Sequence, residues 1–148
     1  MTGEVRGDAV VAEVEVRYAE TDQQGVAYHA NYFVWMEIGR TRYLEALGFP
    51  YHRMEAEGAL FSVMEARCRY AGAARYGERV EIATRVIAVR SRSVAFGYEL
   101  EAGGRPLATG ETVLIALDGE RRPRRIPAEI AKALERGPGQ WAGDRRRE

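Results

Sequence analysis

A single cysteine, Cys68, and two histidines, His29 and His52, are all that 148 residues hold of either type. One thiol cannot close an intramolecular disulfide, and no Cys/His cluster has the spacing of a zinc site. Long apolar runs are missing too: no 18-residue apolar stretch occurs, so no membrane insertion is expected. No positively charged leader followed by an apolar run opens the chain, and the expectation is a soluble, cytoplasmic protein. Nor is there an excess of charge. The 22 basic residues balance 22 acidic ones, which argues against a nucleic-acid binder held mainly by phosphate contacts. Lys132 is the one lysine; the other basic residues are arginine, a bias that codon usage explains more readily than phosphate recognition does.

What is present suits one globular domain: 46% hydrophobic residues, 30% charged, and a length able to bury roughly 70% of the unfolded surface. After a loose start over residues 1–8, Val10, Ala12, Val14, Val16 and Tyr18 alternate with Glu13, Glu15 and Arg17. Period two predicts a strand that delivers Tyr18 to the inner face. From Asn31, a candidate cap, to a glycine stop at Gly48 the pattern is helical, and its first two turns are apolar on nearly every side. Such a helix must be covered all round. A turn and a short helix follow in "FPYHRMEAEG". Further strands are expected at 60–70, 79–89, 93–101 and 107–117, with "EAGGRP" as a hairpin turn, then a short helix at 128–135. No repeat or linker divides the chain, so residues 1–136 read as a single domain and 137–148 as a disordered tail. The economical arrangement is α+β, one antiparallel sheet wrapped around a long central helix. A curled open sheet leaves an edge or face to cover, so at least a dimer is expected.

Between the first strand and the long helix lies "ETDQQGVAYHANY", residues 20–32. Asp22 stands at a strand end three residues before Gly25, where glycine permits a tight turn and close approach of a ligand. A helix starting near His29–Asn31 presents unpaired N–H groups and the positive end of its dipole. A carbonyl placed there would be polarised and its oxyanion stabilised, while a nearby carboxylate could activate water or attack the carbonyl itself. Taken by themselves, Asp22 reads more readily as a turn or cap residue than as a catalyst, His29 as a cap or buried hydrogen-bonded ring, and Tyr28 and Tyr32 as packing residues.

The stretch "RYAETDQQGVAYHANYFVWMEIGRTRYLEALG" resembles the signature of the hotdog-fold acyl-CoA thioesterases of the 4-hydroxybenzoyl-CoA thioesterase family. It is most similar to the bacterial branch containing the Tol-Pal-associated acyl-CoA thioesterase. Tyr18, Thr21, Asp22, Gly25, Tyr28, His29, Asn31 and Tyr32 fall in register, and the resemblance continues to about Pro127. It implies the hotdog fold, an acyl-CoA substrate, no metal or separate cofactor, and a homodimer or homotetramer. The family's catalytic aspartate falls on Asp22, with Tyr18 and His29 beside it. The thioester carbonyl would sit near the His29 N–H, with Gly25 and Tyr28 lining the site. Asp22 would act either as nucleophile or as general base. For the nucleotide end the family uses basic residues on a strand boundary, often from a neighbouring subunit; here "VRSRSV" makes Arg90, Ser91 and Arg92 the candidates, since guanidinium forks suit phosphate. A helix glutamate is the catalyst in another branch, and Glu37 is expected here to be a buried or partly buried acid paired with arginine. Val26, Ala27, Phe61, Val63 and Met64 are candidates for the acyl pocket. Two rival readings remain, a non-catalytic acyl-CoA binder or sensor and a hotdog dehydratase acting on a 3-hydroxyacyl thioester.

Overall fold

A computed structural model describes residues 3–138. Six strands form one antiparallel sheet: β1 (Glu4–Arg6), β2 (Ala9–Glu15), β3 (Leu60–Tyr70), β4 (Arg79–Val89), β5 (Ser93–Ala102) and β6 (Arg105–Leu117), in the order β1-β2-β4-β5-β6-β3. Helix α1 (Asn31–Ala46) lies on its concave face; α2 (Tyr51–Ala56) follows it, and α3 (Ala128–Arg136) packs beside β4. This is the sheet-around-helix arrangement that the sequence pattern predicts, and the hotdog fold that the family resemblance implies.

Helix and sheet meet closely for a definite reason. Tyr32, Trp35, Met36, Gly39 and Tyr43 recur at helical spacing and are buried as one stripe. At Gly39 the helix backbone rests on β4: a Cβ there would collide with the Thr84 hydroxyl and lie 2.8 Å from the Ile82 side chain. Thr84 is itself fully buried, and its hydroxyl has no hydrogen-bond partner among the described residues. An unsatisfied buried hydroxyl costs about 1–3 kcal/mol. Thr84→Val, nearly the same shape without the orphaned oxygen, is therefore expected to raise stability by about 1 kcal/mol, read as an increased denaturation midpoint in urea at unchanged slope.

Three sequence-based expectations need correction. The segment from Glu4 is not loose: Glu4–Arg6 pairs with β2 through a two-residue hairpin at Gly7–Asp8, a Gly-Asp signal that the short alternation around it hides. Tyr18 does not reach the inner face. Regular pairing stops at Glu15, and a 3₁₀ turn over Tyr18–Glu20 breaks the period of two, so Tyr18 is 77% exposed, its ring edge-on to Tyr76 at 5.8 Å. The first turns of α1 are not covered all round either, since the sheet reaches one side and Val34 remains 46% exposed on the other. Of the expected tail, 139–148 lies outside the described residues. None of the described helices is long and apolar enough to cross a membrane.

Candidate active site

The strand-to-helix connection closes on itself as a small antiparallel turn. Thr21 pairs with Ala27, the Asp22 N–H donates to the Val26 carbonyl at 2.8 Å, and the Gly25 N–H donates to the Asp22 carbonyl at 3.0 Å. Gly25 has φ of 81°, a left-handed value that favours glycine at the turn. Beneath it runs the segment before β4, where Val26 bridges to Arg75 and the Ala27 N–H donates to the Ala74 carbonyl at 2.8 Å. One Asp22 carboxylate oxygen accepts the Gln24 N–H at 2.8 Å; the other has no partner among the described residues. Gln23 and Gln24 face solvent.

The start of α1 departs from the expected cap. Ala30 holds the N-cap position with no side-chain cap, and the Asn31 amide reaches back instead to the Glu20 carbonyl at 2.9 Å. The N–H groups of Asn31, Tyr32 and Phe33 are already engaged by the carbonyls of Tyr28, His29 and Ala30. The donors left without an acceptor among the described residues come earlier, at His29 and Ala30. Both residues are exposed, at the positive end of the α1 dipole.

Aromatic rings fix that end of the helix. His29 lies 4.5 Å from Tyr28 and edge-on to Tyr70 at 6.0 Å; Tyr70 in turn stands edge-on to Tyr32 at 5.1 Å, and Tyr32 touches Trp35. The Tyr70 hydroxyl donates to the His29 carbonyl at 2.9 Å, tying the last residue of β3 to the helix start. Burial, with a smaller contribution from Cys68, pushes the Tyr70 phenol up to about 12.

Not every candidate residue belongs to this cluster. Asp22, Gly25, Tyr28 and His29 share one connection, with Tyr18 exposed at its entrance. Arg90, Ser91 and Arg92 form the β4–β5 hairpin at the opposite end of β4 from Arg79, which pairs with Glu15 beside the site. An eleven-residue strand at about 3.3 Å per residue separates the two ends, so one chain does not bring these groups together. The guanidinium groups of Arg90 and Arg92 have no carboxylate partner among the described residues. Phe61, Val63 and Met64 lie on edge strand β3, toward the end remote from Tyr70. Glu37 is exposed rather than buried, 3.9 Å from Arg40.

A concavity of about 640 Å³ lies elsewhere, on the sheet face turned away from α1. Two of its three arginines are paired in place, Arg67 with Glu111 and Arg85 with Glu99.

Sequence reasoning passed over Glu20. The residue is only 6% exposed, and its carboxylate accepts the Arg17 N–H at 2.8 Å and the Trp35 indole N–H at 3.2 Å. The one available signal was an acid where a strand gives way to a turn, which reads more readily as solvated.

Comparisons with known proteins agree with this architecture. The Thioesterase-like superfamily matches residues 16–134. The Bacillus subtilis protein YneP is 44% identical over 88 residues, 60% of this chain and 64% of that protein, so the matched part falls short of two thirds of its length. The Escherichia coli acyl-CoA thioester hydrolase YbgC is 31% identical over 119 residues, 79% of this chain and 89% of YbgC. The crystal structure of protein TT1821 from Thermus thermophilus superposes with a TM-score of 0.82 at 44% identity, covering 84% of this chain and 96% of that one. With four-fifths of its length matched and its sheet and central helix reproduced, this chain belongs to the Thioesterase-like superfamily.

Proposed function

We propose that the protein is an acyl-CoA thioesterase, converting an acyl-CoA and water to a carboxylic acid and CoA. One observation carries the reading: a single short connection holds a carboxylate with a free oxygen, Asp22, and two N–H groups without acceptors, His29 and Ala30. Superfamily membership and the similarity to YbgC support it. The thioester carbonyl oxygen takes the two N–H donors, which strengthen as negative charge develops on it. Asp22 either attacks the carbonyl carbon, giving a mixed anhydride that water then opens, or removes a proton from the attacking water. In both routes the C–S bond breaks and CoA leaves as its thiolate, which then takes up a proton. His29 and Tyr28 orient the acyl end. Tyr18 contacts substrate at the mouth, with Gly25 admitting it to the turn. CoA is part of the substrate, and no metal or cofactor enters these steps. Within the superfamily, the Tyr18–Asp22–His29 register favours the Tol-Pal-associated branch of the 4-hydroxybenzoyl-CoA thioesterase family.

The nucleotide end requires a second copy of the chain. Edge strand β3 is unpaired on its outer side and exposes Val63, Met64 and Tyr70, the kind of edge that a further strand covers. Two β3 strands paired antiparallel about a two-fold axis would set the Leu60 end of one beside the Tyr70 end of the other. The hairpin at Arg90–Arg92 lies at the Leu60 end, because Ile115 pairs with both Ser93 and Ser62. Each site would then combine Asp22 and His29 of one chain with Arg90, Ser91, Arg92 and Met64 of the other. Such a homodimer, alone or doubled to a tetramer, is measured by light scattering at assay concentration; a monomer that turns over would end this arrangement.

The test of the reaction is release of free CoA from aliphatic and aromatic acyl-CoAs, followed by mass. Tight binding without turnover across the panel would favour a binder, and loss of water with CoA still attached a dehydratase. For the nucleotide end, Arg90→Ala combined with Arg92→Ala is expected to raise KM for acyl-CoA by about 10- to 100-fold, the value of one or two charge-assisted hydrogen bonds. KM for the matching acyl-pantetheine, which lacks the nucleotide, should not change. Equal losses on both substrates would remove these arginines from phosphate binding.

A further inference from the structure

Glu20 joins three parts of the site through one residue. Its main-chain carbonyl accepts the Tyr28 N–H at 2.8 Å and the Asn31 side-chain amide at 2.9 Å, so the near end of the connection is fastened to its far end. Its carboxylate accepts the Arg17 N–H on one oxygen and the Trp35 indole N–H on the other, with the Arg17 guanidinium at 3.5 Å. Asn31 and Trp35 are four residues apart and lie on the same face of α1. The helix is thus gripped at two successive turns, once by the backbone of Glu20 and once by its side chain.

A carboxylate is the group this position requires. Three donors converge on its two oxygens and no acceptor among the described residues faces it, so an acceptor-only carboxylate suits every partner, whereas an amide would turn an NH₂ toward another N–H. Burying a carboxylate is costly, and an apolar residue would fill the same space more cheaply if packing were all that mattered.

We infer that Glu20 is a positioning residue: it sets the gap between the Asp22 carboxylate and the free N–H groups of His29 and Ala30. The inference rests on the thioesterase reading of that connection. Asp22 is two residues beyond Glu20 on one side of the turn, and Tyr28, bonded to the Glu20 carbonyl, immediately precedes His29 on the other. The turn tip at Gln23–Gly25 is exposed, and its bonds run to Asp22 rather than to the helix. Whatever loosens Glu20 widens the space in which the thioester must sit between base and donors.

The experiment is a kinetic cycle on the full chain, with free CoA detected by mass and folding checked by thermal melting. Glu20→Gln is expected to lower kcat by about 10- to 100-fold, the scale of a 1 Å misplacement, while KM stays within about threefold. Placed on Asp22→Asn, the same substitution should remove less than about threefold more, because a gap matters only when both of its sides act. A purely structural role would reduce the active fraction equally on both backgrounds, and that result, or wild-type kcat in Glu20→Gln, overturns the inference. Trp35→Phe removes a single donor and leaves the acid in place. It should lower kcat several-fold at unchanged KM, so the inference can be lost even where Glu20→Gln does not fold, through wild-type kcat in Trp35→Phe. Full turnover by Asp22→Asn alone would instead overturn the thioesterase reading of this site.

Discussion

Asp22→Asn is expected to hydrolyse acyl-CoA at least two orders of magnitude more slowly than the wild type while melting at the same temperature. The magnitude is that of a positioned base, about 10²–10⁴-fold. Retained stability follows from the local geometry. Asparagine keeps an oxygen at the position that accepts the Gln24 N–H, and both main-chain bonds of the turn, Asp22 to Val26 and Gly25 to Asp22, involve no side chain. What disappears is the negative charge on the oxygen with no partner. That oxygen is the nucleophile if an anhydride forms and the proton acceptor if water attacks, so either route loses its acting group. CoA release at the wild-type rate would remove Asp22 from the chemistry altogether.

Gly39→Val is expected to have the largest effect on stability. Valine would improve intrinsic helix propensity, by less than about 1 kcal/mol over glycine. Against this stands the helix–sheet contact. The first added carbon already meets the Thr84 hydroxyl and comes within 2.8 Å of Ile82, both fully buried on a central strand. The backbone cannot yield easily, because Met36 on the previous turn is pressed as closely on Gly110 of β6. Overpacking typically costs 1–3 kcal/mol, and with two branches to place the expected net loss is about 3 kcal/mol, a fall in melting temperature of roughly 10 °C. A melt unchanged within a few degrees would mean that α1 rides further from the sheet than described. Thr84→Val in the same protein would distinguish the two demands made at this spot, relief of an orphaned hydroxyl and lack of room.

The sheet and central helix were legible because their signals are local. Alternation marks the strands, and in "NYFVWMEI" the absence of alternation, with apolar residues on most sides, marks a helix lying against a sheet. Tyr18 was misplaced because period two cannot announce its own end: the hydrogen bonds of Val16 with Glu78 and Gly77, more than sixty residues away, decide where the strand stops. Asn31 reads as a cap in any isolated peptide, and only the folded turn offers it the better acceptor, the Glu20 carbonyl. Glu20 was missed for the same reason, since burial is a property of the tertiary fold. The arginines at 90 and 92 show the opposite failure. Their chemistry was plain in the sequence, whereas their distance from Asp22 follows from the length and direction of β4, which residue type does not encode.

The free donors at the head of α1 have a consequence for how such a site can evolve. They are peptide groups, present whatever side chain stands at positions 29 and 30, and only proline removes one. Drift at these two positions can therefore reshape the approach of the acyl group without discarding the polarising element. On the reading proposed for Glu20, the vulnerability passes to residues outside the substrate's reach, Glu20 and the Asn31 and Trp35 that bond it, where one base change would alter the spacing in front of them. Selection for a new substrate and selection for a working site would then act on separate sets of codons.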